Sequence, residues 1–153
     1  MISTKEVLKE VYVKIVKTRY PSFPDAKTDK PLIIKKRRRW QVICGDRGHY
    51  RVGAYSPEFT SEKEIKVLEK HSCDEFFMLI NGSMSLLLID DRGKEKILKL
   101  EPLKPVFVRD WHNGFCEKGK FTGMAIVVER DEFTTEYRTR EELTRTKRKE
   151  SLR

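Results

Sequence analysis

From residue 40 to residue 130 the sequence consists of short stretches in which apolar and other residues alternate, separated by turn-forming residues. Trp40, Val42 and Cys44 alternate with their neighbours before a turn at 45–48, and a second such stretch starts at Tyr50. A period of two is typical of strands that bury one face. Further strands are predicted at 65–71, 75–80, 83–89, 95–100, 105–109 and 122–129. So many short strands favour an all-β sandwich or barrel and exclude a βαβ architecture.

The two ends of the chain have a different pattern. Ser3 and Glu6 have the spacing of a helix-capping box, and apolar residues then recur at helical intervals, which predicts a helix over 3–18. Residues 20–31 contain two prolines near their start and read as an irregular connection. The polar, basic segment 134–153 is predicted to be helical. We therefore divide the chain into an N-terminal helix and connection (1–30), a β-barrel (31–133) and a basic C-terminal tail (134–153).

Length and composition exclude several classes of protein. A chain of 153 residues suits one domain. The longest apolar run, 76–80, is far shorter than the roughly 20 residues of a membrane-spanning helix. Charged residues interrupt 1–17 throughout, so it lacks the uncharged core of a secretion signal, and the three cysteines show no paired spacing. These features predict a cytoplasmic protein with reduced thiols.

A run of five basic residues, 35–39, stands just before Trp40, in a chain with a net charge of +9. Such a run can bind the phosphates of a nucleotide, a sugar phosphate or a nucleic acid. A solvated edge strand that uses charge against aggregation explains it equally well. The sequence shows no motif with base-reading geometry, so we do not expect a nucleic-acid partner.

One part of the barrel pattern carries residues suited to chemistry. Strand alternation places Glu69 and His71 on the same face of one strand, and Glu75 begins the next strand, ahead of Phe77. A carboxylate at the head of so apolar a strand needs a partner. A salt bridge at a strand edge and a hydrogen-bonded core histidine are the alternatives that involve no function.

These residues resemble the first sequence motif of the cupin superfamily. His71 matches its second histidine, Glu75 its glutamate and Gly82 its closing glycine, while His112 matches the histidine of the second motif. The sequence departs from the family where Glu69 replaces the first histidine. The resemblance covers about residues 40–130 and implies an all-β fold, the cupin-type double-stranded β-helix or jelly-roll barrel, with an N-terminal helix and a short polar C-terminal helical tail.

The resemblance also implies a site inside the barrel mouth. Glu69, His71, Glu75 and His112 would supply two nitrogen and two oxygen ligands to a divalent ion of manganese, iron, nickel or zinc. Without a metal, His71 and His112 would be the catalytic residues in general acid–base chemistry. Trp111, next to His112, and Arg109 are expected to line the substrate pocket.

The function expected from the resemblance is a metal-binding enzyme of small-molecule metabolism that acts on an oxygen-rich anionic substrate such as a sugar, a sugar phosphate or a keto acid. Two alternatives stay open, a non-catalytic ligand-binding or sensing module and a metal-free sugar-nucleotide isomerase. Jelly-roll sheets commonly pack against their twin, so a homodimer is expected as well.

Overall fold

The computed structural model describes the backbone of residues 21–150 and the side chains of residues 21–145. The predicted helix over 3–18 lies outside the described residues. Residues 21–31 form turns and irregular backbone, as predicted for the connection, and the irregular backbone continues to residue 39, within the range assigned to the barrel. The basic run 35–39 belongs to this irregular stretch and is not an edge strand. The described strands are β1 (Trp40–Asp46), β2 (Tyr50–Tyr55), β3 (Val67–His71), β4 (Glu75–Asn81), β5 (Ser85–Ile89), β6 (Glu95–Lys99), β7 (Val106–Val108), β8 (Trp111–Phe115), β9 (Met124–Arg130) and β10 (Thr135–Thr139).

The strands form two five-stranded antiparallel sheets. The first has the order β1-β2-β9-β4-β7 and the second β10-β3-β8-β5-β6. A short 3₁₀-helix (Glu62–Glu64) precedes β3, and one α-helix, α1 (Arg140–Glu150), follows β10. The all-β prediction is therefore confirmed, including the short polar helix near the C-terminus. None of the described helices is long and apolar enough to cross a membrane.

The main core lies between the two sheets. Alternate residues of each strand point inward, so Phe77 and Val127 of the first sheet meet Leu86 of the second. A second buried cluster lies on the outer face of the second sheet, where Leu143 of α1 and Ile65 cover Leu87. Because both faces of β5 are covered, Ser85, Leu86, Leu87 and Ile89 are all buried.

The structure corrects the prediction for the C-terminal segment. Residues 135–139, expected to be helical, form β10 and pair with β3 from Thr135 opposite His71 to Thr139 opposite Val67. Alternating threonines and Tyr137 favour a strand, but the surrounding charges obscured that pattern. The chain becomes helical only at Arg140, whose guanidinium binds Glu95 and the carbonyl of Glu62. The strand β8 was also missed, because the alternation around His112 is short and interrupted by a glycine.

The Asn81–Gly82 turn after β4 gives a test of the fold. Gly82 has φ of +65°, and a Cβ atom there would lie 1.8 Å from the carbonyl oxygen of Thr122. Gly48 also has a positive φ, +80°, but a Cβ atom there would meet nothing within 4 Å. Gly82→Ala should therefore lower the free energy of unfolding by about 3 kcal/mol or more, since the backbone must shift. Gly48→Ala should cost only about 1 kcal/mol, the penalty for a left-handed conformation. Urea unfolding of both variants measures the difference, and equal losses would contradict the packing described here.

Candidate metal centre

Three strands bring the four predicted ligands together inside the barrel. Glu69 and His71 lie two residues apart on β3 and point inward, and the Cα of Glu69 is paired with that of His112 on β8. Both strands belong to the second sheet, whereas Glu75 begins β4 in the first sheet. The residues therefore meet across the gap between the sheets at one end of the core.

The Nε2 atom of each histidine is close enough to both carboxylates to share an ion with either of them. The Nε2 atom of His112 lies 2.8 Å from Glu75 Oε2 and 3.8 Å from Glu69 Oε1. The Nε2 atom of His71 lies 3.4 Å from Glu75 Oε1 and 3.8 Å from Glu69 Oε1. Two ligand atoms that both lie about 2.1 Å from one ion can be at most about 4.2 Å apart. All four imidazole–carboxylate separations meet this condition. Ligand atoms of Glu69, His71 and His112 lie within 4.8 Å of one another, so these three residues fit one divalent ion, and Glu75 lies beside them in a second group with His71 and Glu129.

The other nitrogen of each imidazole is held by a hydrogen bond that orients the ring. His112 Nδ1 donates to the backbone carbonyl of Asp110 at 2.9 Å, which leaves Nε2 facing the carboxylates. His71 Nδ1 shares a hydrogen bond of 2.8 Å with the hydroxyl of Thr135 on β10. Metal-binding histidines in proteins almost always have such a partner on the second nitrogen. Both rings are therefore oriented as ligands would be.

Glu75 and His112 shift each other's pKa in opposite directions. Burial raises the pKa of Glu75, but hydrogen bonds from His112 and His71 outweigh it and hold that pKa at about 2. Burial lowers the pKa of His112, but the hydrogen bond and charge of Glu75 outweigh it and raise that pKa above its usual 6.5. In the absence of a metal, a proton on His112 thus takes the place of a cation beside Glu75.

A third carboxylate, which the sequence reasoning missed, lies next to this cluster. Glu129 on β9 is only 5% exposed, and one of its oxygens lies with ligand atoms of His71 and Glu75 within 4.8 Å of one another. Arg51 binds Glu129 Oε1 through Nε at 2.8 Å and Nη2 at 2.7 Å. Among the described side chains, none forms a hydrogen bond with Glu129 Oε2. Burial is the main cause of the raised pKa of Glu129, and the charge of Glu75 adds to it.

One signal in the sequence could have found Glu129. In β9, Ala125, Val127 and Glu129 occupy alternate positions and all three are buried. A carboxylate that continues a buried apolar face needs a partner and therefore indicates a functional site. Glu75, ahead of Phe77, gives the same signal. Arg51 carries no comparable signal, because arginine on a strand is usually solvent-exposed.

The cluster forms the floor of a cavity of about 250 Å³. Its walls are mainly aromatic. They include Trp40 of β1, Tyr55 of β2, Tyr137 of β10, and Phe133, which lies just before β10. Arg39, the last residue of the basic run, also lines it. The cavity is therefore a small polar floor within aromatic walls, with guanidinium groups at its side.

Trp111 and Arg109 do not lie where the sequence reasoning placed them. Because His112 points inward, its neighbour Trp111 points outward from the second sheet, where Lys70 and Arg138 pack over its ring at 5.9 and 5.4 Å. It lines a separate polar depression on that face. Arg109 lies beyond the end of β7 on the surface, where it binds Asp74 through two hydrogen bonds of 2.7 and 3.0 Å. Neither side chain lines the cavity, and Arg51 and Arg39 supply its guanidinium groups instead.

Comparison with known proteins identifies the fold. No protein-family model and no curated protein matches the sequence. Among solved structures, 92 chains match. A cupin 2 domain-containing protein from Halorhodospira halophila is 16% identical, with a TM-score of 0.51 over 78% of this chain and 82% of that chain. At such identity the likeness shows the fold alone, so the chain has the cupin fold.

Two enzymes are among the other matches, each with a lower TM-score. The hydroxypropylphosphonic acid epoxidase from S. wedmorenis is 18% identical, with a TM-score of 0.44 over 60% of this chain and 50% of that chain. A sugar phosphate isomerase of the cupin superfamily from Silicibacter pomeroyi is 18% identical, with a TM-score of 0.42 over 59% of this chain and 57% of that chain. This chain thus spans 50% and 57% of the length of these two enzymes.

The Glu75–His112 pair predicts how the stability of metal-free protein depends on pH. Stabilisation by a group with a raised pKa is complete below its unfolded pKa and is lost as pH rises through the folded one. The raised pKa of His112 therefore makes metal-free wild type lose stability as pH rises above about 6.5. Glu75→Gln removes the charge that raises this pKa, so its loss over the same range should be smaller.

Urea unfolding of chelator-treated protein between about pH 5 and pH 9 measures this difference. Glu136→Gln, at an exposed carboxylate on β10, is the matched control and should follow the wild-type profile. Parallel profiles for Glu75→Gln and wild type would show that Glu75 does not control the protonation of His112.

Proposed function

We propose that this chain, which has the cupin fold, is a metal-binding enzyme of small-molecule metabolism that acts on an oxygen-rich anionic substrate. One observation carries the proposal. The Nε2 atoms of His71 and His112 face the same two carboxylates, Glu69 and Glu75, while the Nδ1 atom of each ring is held by a hydrogen bond. A purely structural histidine needs no such convergence of anionic oxygens on its second nitrogen.

The charge of the cavity supports the same proposal. Glu69, Glu75 and Glu129 bring three carboxylates to one small space, and Arg51 pairs with Glu129 alone. Glu69 and Glu75 are left facing the imidazoles of His71 and His112. A divalent cation held by Glu69, His71, Glu75 and His112 would balance the charge of both carboxylates. Two nitrogen and two oxygen ligands suit manganese, iron, nickel or zinc.

The residues around the site fit a small substrate. A bound divalent ion would supply Lewis acidity, polarising a carbonyl or hydroxyl oxygen of the substrate. The aromatic walls, with Trp40 and Phe133, exclude water from that oxygen and offer flat faces to a sugar ring or a short carbon chain. His71 and His112 act as ligands in this proposal, and Asp110 and Thr135 keep their rings in place.

The size of the cavity favours some of the candidate substrates over others. At about 250 Å³ it lies below the roughly 300–1,000 Å³ of pockets that enclose drug-sized ligands. A sugar, a sugar phosphate or a keto acid suits that volume better than a complete sugar nucleotide. The volume therefore favours a small substrate over a sugar nucleotide.

Metal content tests the proposal directly. Untagged wild type loaded with Mn²⁺ or Zn²⁺ and then desalted should retain about one equivalent of metal by elemental mass spectrometry. His71→Ala and His112→Ala should lower metal affinity at least about tenfold, because each removes a ligand. His49→Ala is the matched control and should retain the metal, since His49 is the third histidine of the chain and lies exposed in the turn between β1 and β2.

Circular dichroism shows whether each variant is folded. Glu75→Gln is a further variant, which removes the charge of a proposed ligand but keeps the shape of its side chain. Wild type that binds no metal at all would contradict the proposal. It would leave the hydrogen-bonded Glu75–His112 pair as a metal-free acid–base couple or as part of a ligand-binding module.

We also propose that the chain forms a homodimer through the outer face of its first sheet. Val52, Val128, Phe76 and Phe107 are paired in register across this face, and Phe107 is 75% exposed. An isologous dimer would cover this apolar row on both copies. Phe107→Asp should then give a monomer by light scattering, whereas Ile33→Asp, at an exposed apolar residue outside the sheets, should leave the dimer intact. A monomeric wild type would contradict this.

A further inference from the structure

Arg51 is a charged residue of the cavity that takes no part in the proposed metal site. It lies on β2 with 26% of its side chain exposed, and it lines the cavity beside the metal cluster. Its partner Glu129 shares a cluster with His71 and Glu75. The guanidinium is thus separated from the proposed ion by a single carboxylate.

Three side chains contact the Arg51 guanidinium, namely Glu129, Trp40 and Phe133. Nε and Nη2 both bind Glu129 Oε1, at 2.8 and 2.7 Å. The ring of Phe133 lies 4.9 Å from the guanidinium carbon, and that of Trp40 lies 5.4 Å from it. Aromatic rings near a guanidinium attract it and hold its plane in place. The group therefore has little conformational entropy left to lose when it binds a ligand.

Part of the guanidinium has no hydrogen-bond partner among the described side chains and backbone. Within residues 21–145, no acceptor forms a hydrogen bond with Arg51 Nη1, and the two contacts to Glu129 use one N–H of Nε and one of Nη2. A guanidinium has five N–H donors in a planar fork that matches the oxygens of a carboxylate or a phosphate. The remaining donors are free for an anion that enters the cavity.

The net charge of the cavity depends on the metal. Among the described residues that line it, three are carboxylates (Glu69, Glu75 and Glu129) and two are guanidiniums (Arg39 and Arg51). The carboxylates outnumber the guanidiniums, so these five charged groups by themselves do not favour an anion. A divalent cation on Glu69 and Glu75 reverses that sign, because two positive charges are added. Anion binding should therefore require the metal.

We infer that Arg51 is the anion-binding residue of this site and that it binds the carboxylate or phosphate group of a small substrate only when the metal is present. A neighbouring hydroxyl or carbonyl oxygen of the same molecule then faces the ion. Arg51 is in this way the residue that determines specificity for anionic over neutral substrates, in the pocket that Arg109 was expected to line. The inference rests on the proposed function, because it takes the metal site as given.

Calorimetric titration of Mn²⁺-loaded protein with glycolate, inorganic phosphate and neutral ethylene glycol tests the inference. Wild type should bind at least one of the two anions more tightly than ethylene glycol, and the preferred anion shows whether the group is a carboxylate or a phosphate. Arg51→Met should weaken that binding by about 10- to 100-fold, the usual loss of a hydrogen bond to a charged group. Arg51→Lys should also bind less tightly, since an ammonium lacks the planar fork.

Three controls separate a specific loss of anion binding from a loss of folding or of metal binding. Arg109→Met removes an arginine that is also paired with a carboxylate but lies outside the cavity, and it should bind the anions as wild type does. Arg51→Met leaves Glu129 buried without its ion pair, so Arg51→Met/Glu129→Gln is tested alongside it in case the single variant fails to fold. Mn²⁺ affinity is measured for every variant, and it should stay near the wild-type value.

The results distinguish this inference from the proposed function. Metal-loaded Arg51→Met that binds the anions as tightly as wild type overturns the inference but leaves the metal site intact. Anion binding that is equally tight in metal-free wild type overturns the proposed coupling, as does a metal-loaded wild type that binds neither anion. Failure of wild type to bind Mn²⁺ at all is a failure of the proposed function, and it is measured independently of any anion.

Discussion

A carboxylate buried inside a protein loses its hydration and must find charge and hydrogen-bond partners in exchange. Glu75 and Glu129 are each only 5% exposed in this small barrel, and Glu69 lies beside them. Arg51 compensates Glu129, and His112 and His71 converge on Glu75. Asp110 and Thr135 in turn fix the two imidazoles. The arrangement of the whole cavity follows from the need to neutralise these carboxylates.

The two-sheet architecture makes such a cluster possible. The second sheet contributes Glu69, His71 and His112 from adjacent strands, and the first contributes Glu75 and Glu129. Each strand needs only to place a polar residue at an inward position near its end, while apolar residues such as Phe77 and Val127 fill the core further along. The barrel keeps its apolar core, and the polar residues collect at one end of it.

Much of this was accessible from the sequence because it depends on short-range pattern. The alternation of residues and the turn residues predicted most of the strands. Three of the clustered residues, Glu69, His71 and Glu75, were predicted from their spacing on two consecutive strands. His112 came from the family resemblance. The structure brings these four residues together, and their role as metal ligands stays a prediction. Arg51 and Glu129 were missed because they are 78 residues apart in sequence and meet only through the pairing of β2 with β9.

The two misplaced residues show the limit of the same reasoning. Trp111 was expected in the pocket because it adjoins His112, but adjacency along a strand puts two side chains on opposite faces. The outer face of the second sheet is itself covered, by Leu143 and Ile65, so the burial of Trp111 says nothing about the cavity. Arg109 was chosen by its place in a motif, whereas its actual partner, Asp74, lies at the start of the neighbouring strand. Long-range pairing decides both positions.

The central claim is that a divalent cation takes the place of the proton that His112 holds against Glu75. Calorimetric titration of metal-free wild type with Mn²⁺ at about pH 6, repeated in buffers of different ionisation enthalpy, counts the protons released when the metal binds. The account predicts a single site and the release of about one proton, since a metal-binding imidazole must be neutral. Binding without proton release, or no binding at millimolar metal, would contradict it.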